Sequence, residues 1–338
     1  MESRQLGRTG LRVSRLCLGT STFGAQCDRA ASERILDHAL DRGISFIDTA
    51  DIYPLTDDMV ASTGKTEEII GGWLGKHRGD VILATKCHGR TGPNEWDAGL
   101  SRKHVLDAVE GSLRRLRTDY VDLLQIHGWD DRTPLDETLV TLDGLVKSGK
   151  VRYIGCSTSL AYRLARAVGR SAALGVEAFS SVQARYSLLA RYAEAELFPC
   201  AAEDGVAVLP FNVLAGGLLT GKHKRDAPAE GTRFTLGQFG PDIYRKRYWH
   251  EAELDAIDEL RGLVDEVGRS MTELATGWAL AQPAVVSAVV GASRPEQLDA
   301  PVAAAEKGLD DDVLARLDQL TSRFVSVGGK PRAGSDES

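Results

Sequence analysis

The chain predicts an α/β fold, a closed (β/α)8 TIM barrel preceded by an N-terminal β-hairpin. Three observations carry this. Eight short apolar runs recur along the 338 residues, each followed by a helical pattern. The runs are continuously apolar rather than alternating, as strands covered by helices on both faces are. No linker rich in Pro, Gly and Ser divides the chain, and no Gly-x-Gly-x-x-Gly follows the first strand. One barrel over residues 1–325 is therefore expected rather than two doubly wound domains.

The hairpin is read from Arg4-Gln5-Leu6, a turn through Gly7-Arg8-Thr9-Gly10, and Leu11-Arg12-Val13. The first barrel strand is Leu16–Gly19. A helix at 32–40 places Ile35, Leu36, Ala39 and Leu40 on one face, with Ser32 as its N-cap and Gly43 beyond its end. The later strands are Ile44–Asp48, Val81–Lys86, Tyr120–His127, Val151–Ser157, Phe179–Gln183, Val206–Phe211 and Val285–Val290. Helical patterns fill 66–77, 101–117, 134–147, 160–173, 193–203 and 251–281. Segment 222–250 shows no periodicity, and an irregular stretch of that length reads as a lid or binding loop. The polar tail 326–338 is expected to be disordered.

A hydrophobic content of 43% with 26% charged residues describes an ordinary water-soluble globular chain. The net charge of −7 argues against a nucleic-acid surface. No segment has the apolar core of a signal peptide or the ~20 apolar residues of a membrane span. Five scattered cysteines without a Cys-x-x-Cys pair read as reduced thiols of a cytoplasmic protein.

The candidate chemistry lies at strand ends. The second strand runs into Asp48-Thr49-Ala50-Asp51-Ile52-Tyr53, the third ends at Lys86 and the fourth at His127. The C-terminal ends of barrel strands converge on one face, which brings these four groups into one pocket. A phenol of ordinary pKa near 10 becomes a useful acid beside a cation. Tyr53 is accordingly the expected general acid toward a carbonyl oxygen, Lys86 lowers its pKa, Asp48 pairs with and orients Lys86, and His127 polarises the carbonyl. Each residue also has a plainer role. Asp48 could cap a loop, Lys86 could be a structural ion pair, and His127 could be a core histidine. Ser157 could cap the next helix, and Lys222 to Arg225 could be a solvated loop. No His, Cys, Asp and Glu cluster has tight ligand spacing, so no metal is expected.

Taken together, these motifs resemble the aldo-keto reductases. The resemblance runs from Leu6 to Leu320 and rests on an ordered set. It comprises Leu-Gly-Arg-Thr-Gly-Leu-Arg-Val-Ser near the start, Leu18-Gly19-Thr20, Asp48 to Tyr53, Thr85-Lys86, Gln125-Ile126-His127 and Gly149-Lys150-Val151-Arg152. It continues through Gln183, Leu218 to Lys222, Gly291-Ala292-Ser293 and Pro295 to Leu298. The pattern around Tyr248-Trp249 and Val290 to Ser293 is most similar to the potassium-channel β-subunit branch with its bacterial relatives, and to reductases of nucleotide-linked deoxysugars. The resemblance implies NADPH bound without a Rossmann fold and a small-molecule carbonyl as substrate. It places Thr20 and Asp48 by the nicotinamide, Ser157 and Gln183 on its carboxamide, and Phe211 against its ring. Leu214, Gly216, Lys222 and Arg233 would follow the pyrophosphate, with Gly291, Ser293 and Gln297 at the adenosine and its 2′-phosphate. A helix start after Pro295 suits a phosphate. The chain departs from the family pattern at Thr158, where Asn is usual, at Phe211-Asn212-Val213 in place of aromatic-Ser-Pro, and at Ala300-Pro301 in place of the adenine-gripping pair. The expected activity is reduction of an aldehyde or ketone, a sugar-type carbonyl included. The alternatives are a nucleotide-sensing regulatory subunit with little turnover, against which His127 argues, and an isomerase or hydrolase on the same barrel. Trp96, Trp129 and Tyr248 are the candidate aromatic walls of the substrate pocket.

Overall fold

The computed structural model describes residues 1–237 and 239–325; the expected disordered tail at 326–338 lies outside the described residues. Strands β1 (Ser3–Gln5) and β2 (Arg12–Ser14) pair antiparallel, Ser3 opposite Ser14. Eight parallel strands follow: β3 (Leu16–Gly19), β4 (Phe46–Asp48), β5 (Ile82–Cys87), β6 (Val121–Ile126), β7 (Val151–Ser157), β8 (Ser181–Arg185), β9 (Ala207–Phe211) and β10 (Ala288–Gly291). They pair in sequence order, with β10 returning to β3. A parallel bridge between Val208 and Val285 closes the remaining gap, where Val286 N donates to Val208 O at 3.0 Å. The result is the expected barrel.

Side chains alternate along a strand, so each strand carries one row into the lumen and one toward the helices. The lumen row is apolar low in the barrel: Cys17, Phe46, Ala84, Leu123, Ala207 and Leu209 form one cluster with Leu6 and Val13 of the hairpin, which closes the base. Two residues higher the same rows read Asp48, Lys86, Gln125, Gln183 and Phe211. Polarity therefore switches at one height, and that height is the site. The larger apolar cluster lies between sheet and helices. Arg15 pins the seam below: its guanidinium donates to Val285 O at 2.7 Å, Val286 O at 2.8 Å and Leu280 O.

The covering helices are α1 (Arg29–Asp41), α2 (Met59–Ser62), α3 (Lys65–Leu74), α4 (Arg102–Leu116), α5 (Leu135–Lys147), α6 (Ala161–Leu174), α7 (Leu197–Glu203), α8 (Phe239–Tyr248), α9 (Glu251–Val267), α10 (Met271–Ala281), α11 (Asp299–Lys307) and α12 (Asp311–Thr321). Several boundaries differ from expectation for identifiable reasons. Helix α1 starts three residues earlier because Asp28 caps it, its carboxylate accepting from Ala31 N at 2.8 Å, while Ser32 lies within the helix and donates to Asp28 O. The long pattern at 251–281 breaks at Gly268, which takes φ 69°, and α10 restarts with a Ser270–Glu273 capping box. Strand β8 sits two residues later than read, since its pairing runs on to Arg185 opposite Phe211. The segment 222–250 is not wholly irregular. It contains α8, whose Tyr244 and Tyr248, one turn apart, have ring centroids 6.5 Å apart. No helix among the described residues is long and apolar enough to cross a membrane.

Candidate active site

Asp48 is the hub. Its Oδ2 accepts from Lys86 Nζ at 2.5 Å, and its Oδ1 accepts from Gln125 Nε2 at 2.9 Å and Gln183 Nε2 at 3.0 Å. Its backbone carbonyl accepts from Thr20 Oγ1 at 2.9 Å. Lys86 is fully buried and donates a second bond to Thr49 O at 2.9 Å. An ammonium taken wholly out of water needs such partners to stay charged. Burial works to strip its proton, and Asp48, with Tyr53, overrides it, so Lys86 is held above its ordinary pKa.

Tyr53 stands on the turn after β4. Its ring centroid is 5.1 Å from Lys86 Nζ and 5.6 Å from the His127 ring, which meets it edge-on at 76°. The expected lowering of the phenol's pKa does not win. Burial raises it, Lys86 pulls it down, and Asp48 and Tyr244 push it up, leaving a net rise. Tyr53 is thus a protonated phenol at neutral pH, with Lys86 beside it to steady any negative charge. His127 is half-buried, and desolvation first, then Lys86 and His88, hold it well below its ordinary pKa. It is a neutral imidazole, able to donate one hydrogen bond.

These groups open onto a cavity of about 670 Å3. Thr20, Asp48, Tyr53, His127, Gln183 and Phe211 line it at one end. Leu214, Gly216, Lys222, Arg233, Gly291, Ser293 and Gln297 also line it. Gly216 and Gly217 take φ 70° and 108°, a backbone open to glycine and strained for other residues, and bring bare main chain to the wall. Burial, then Arg294 and Arg233, lowers the pKa of Lys222, so three cations gather here. Lys222 and Arg294 have no carboxylate partner among the described residues. Arg233 donates to Tyr244 Oη at 2.5 Å and Ser21 Oγ at 3.1 Å, tying the 222–250 segment to the loop after β3. A long ligand with a polar head at one end and phosphates along its length fits this distribution of groups.

Two expected residues do not reach the cavity wall. Lys86 sits behind Tyr53 and Asp48, as a positioning group does. Ser157 is buried at the end of β7, 3.4 Å from Thr158 Oγ1, and Thr158 lines the cavity in its place. Nor does Ser157 cap α6, which begins after Leu160 without a side-chain cap. Thr158 takes φ 53°, a left-handed conformation that Asn adopts readily and a β-branched residue does not. Asn212 takes φ 57° at the second departure, where its side chain suits that backbone. Ala300 lines the far end of the cavity. Of the aromatic candidates only Trp129 lines the cavity. Trp96 is 54% exposed, and Tyr248, the last residue of α8, is fully buried. Sequence reasoning passed over Gln125, His88, Tyr244 and Arg294. Gln125 was within reach, being two residues before His127 in the same inward row. Tyr244 was not, since it depends on α8.

Comparison with known proteins agrees with this geometry. The family model described as "Aldo/keto reductase family" matches residues 15–322. The chain is 39% identical over 338 residues to the uncharacterized oxidoreductase YrpG of Bacillus subtilis (strain 168), covering 98% of each chain. It is 34% identical over 304 residues to a probable voltage-gated potassium channel subunit beta of Arabidopsis thaliana, covering 88% of this chain and 89% of that one. It is 32% identical over 347 residues to versiconal hemiacetal acetate reductase of Aspergillus parasiticus, covering 94% and 96%. With a barrel of this topology and a family match over nearly its whole length, the chain belongs to the aldo/keto reductase family.

Proposed function

We propose that this oxidoreductase is an NADPH-dependent carbonyl reductase of the cytoplasm, converting an aldehyde or ketone, sugar-type carbonyls included, to the alcohol. The observation that carries the reading is one cavity with Tyr53, His127 and the buried Lys86–Asp48 pair at one end and Lys222, Arg233 and Arg294 among its other lining and neighbouring groups. NADPH, when bound, supplies the hydride. Thr20 and Gln183 would hold the nicotinamide end, with Phe211 for the ring and Thr158 on the wall where Ser157 was expected. Leu214, Gly216, Lys222 and Arg233 follow the pyrophosphate, and Gly291, Ser293, Arg294 and Gln297 receive the adenosine and its 2′-phosphate.

Tyr53 gives its proton to the carbonyl oxygen, and Lys86, fixed by Asp48, stabilises the phenolate left behind. Neutral His127 donates to the same oxygen and keeps it in reach of Tyr53. The five unpaired cysteines, four of them buried, suit a reducing compartment. The likeness to a channel β subunit favours a second reading, a nucleotide sensor with little turnover.

Fluorescence titration with NADPH and NADH, run on wild type and Tyr53→Phe, separates them. Binding of NADPH by both proteins, with 4-nitrobenzaldehyde reduced by wild type alone, is the expected result. Binding without turnover of any carbonyl would favour the sensor. No nucleotide binding would overturn both.

A further inference from the structure

His88 lines the cavity without a part in the proton transfer. The register of β5 and β6 puts it beside His127. Lys86 is opposite Gln125 and Cys87 opposite Ile126, and His127 N donates to Cys87 O at 2.9 Å. Cys87 and Ile126 face the helices, so by alternation His88 and His127 are the next pair up on the lumen row. Neighbouring strands stand about 4.8 Å apart, which brings two imidazoles to the end of the cavity that Tyr53 lines.

The wall that carries His88 is fixed in advance. The Asp130 carboxylate, beyond β6, accepts from Leu100 N at 2.8 Å, Thr133 Oγ1 at 2.7 Å and Arg132 N at 2.9 Å. It ties the loop after β5 to the loop after β6. His88 O closes the first of these loops by accepting from Gly99 N at 2.8 Å. Gly128 leaves the imidazole its place, since a Cβ there would stand 3.3 Å from His88 Cε1 and 3.4 Å from Nδ1.

The two rings offer opposite groups. Burial lowers the pKa of His88 although Asp130 is near, so the ring is neutral at pH 7, with one N–H and one lone pair. The Trp129 main chain bonds the ring and favours its proton, as a carbonyl acceptor does, and this occupies the N–H. The lone pair is left to accept. In His127 the Nδ1 is buried without a partner, so its bonding runs through Nε2, which donates to the carbonyl oxygen. An acceptor stands beside a donor, one strand apart.

We propose that His88 selects the substrate by accepting a hydrogen bond from a hydroxyl on the carbon beside the carbonyl, so that the substrate class is an α-hydroxy aldehyde or ketone. The carbonyl oxygen meets Tyr53 and His127 while the adjacent hydroxyl meets His88. The proposal rests on the carbonyl-reductase reading and names its substrate class.

The test compares hydroxyacetone with methoxyacetone, and α-hydroxyacetophenone with α-methoxyacetophenone, using NADPH and wild type, His88→Phe and His88→Gln. Each methyl ether keeps the oxygen and its inductive pull but cannot donate. In parallel, 1-phenylethane-1,2-diol and its 2-methyl ether are titrated into the NADP+ complex, followed by tryptophan fluorescence, Trp129 being on the cavity wall. Wild type is expected to favour the hydroxy ketone by about tenfold in kcat/KM, the worth of one well-placed hydrogen bond. His88→Phe should bring that ratio to about one, and His88→Gln, which keeps an acceptor, should retain part of it. A wild-type ratio of one in both pairs, or a ratio that His88→Phe leaves intact, would overturn the proposal and leave the reductase reading standing. A lost preference matched by an equal rise in the NADPH Kd would overturn it as well, because the wall itself would have moved. Turnover of no carbonyl, with the diol still bound more tightly than its ether in wild type alone, would instead sink the reductase reading and leave the hydroxyl site standing.

Discussion

Asp48→Asn tests the hub of the site most directly. In wild type both carboxylate oxygens are acceptors, Oδ2 toward Lys86 and Oδ1 toward Gln125 and Gln183. An asparagine turns one of them into an NH2. Facing Lys86, that group sets a donor against an ammonium; facing the glutamines, it sets a donor against two donors. Either orientation also leaves a fully buried ammonium without its counter-charge. Removing one member of a buried pair costs about 3–5 kcal/mol, a large part of a total stability of about 5–15 kcal/mol. Urea unfolding should show the loss as a lower midpoint at unchanged slope. Lys86→Met should also destabilise, and the double variant should be less damaged than the sum by about 0.5–3 kcal/mol, because neither charge is then stranded. The pH dependence has a definite sign. The folded pKa of Lys86 lies above its unfolded value, so its contribution is full below about 10.4 and fades only as pH rises through the folded value. The Asp48→Asn gap should therefore hold steady from pH 6 to 9 on this group's account. A variant within about 0.5 kcal/mol of wild type across that range would refute the claim that Asp48 holds the Lys86 charge.

Tyr53→Phe should lower kcat by about 10²- to 10⁴-fold without weakening NADPH binding, since only the proton donor is removed; a parallel loss of binding would mean the ring itself holds the nucleotide. Arg15→Met should lower stability by about 3–5 kcal/mol in chemical denaturation, as three seam carbonyls lose a buried charged donor, and retention of the wild-type midpoint would show the seam closes without it. His127 is neutral when folded, with its pKa depressed, so its contribution is present above about 6.5 and lost as pH falls from there toward the folded value, at about 1.4 kcal/mol per pH unit. His127→Gln should flatten the acid limb of the stability curve by that one slope, and an unchanged limb would move the effect to His88, His104 or His223, whose values are lowered in the same direction. Thr158→Asn should gain about 1 kcal/mol by relieving a β-branched residue at φ 53°, whereas a loss would show that the Thr158 side chain holds the loop.

The four candidate groups could be read because Asp48, Lys86 and His127 sit where strand patterns end and Tyr53 follows Asp48 by five residues. The convergence of strand C-terminal ends on one face of a barrel did the rest. The eight strands were legible for a related reason: a strand buried on both faces is a short, continuously apolar run, whatever its neighbours are. Caps were less legible. Ser32 and Ser157 are good caps by type, yet Asp28 offers a stronger acceptor three residues before the α1 first turn closes, and Ser157 is drawn into β7 by pairing with Gln183.

What the sequence by itself determined is the strand and helix order and the height at which the lumen turns polar, because both follow from side-chain periodicity along single elements. Only the tertiary structure decided the rest. Helix α8 forms where the sequence shows no clear period, and it brings Tyr244 to the wall instead of Tyr248. Arg185 and Arg247, distant in the chain, become neighbours. The phenol's pKa goes up rather than down because burial, a property of the whole assembled barrel, outweighs the one lysine that the motif supplies.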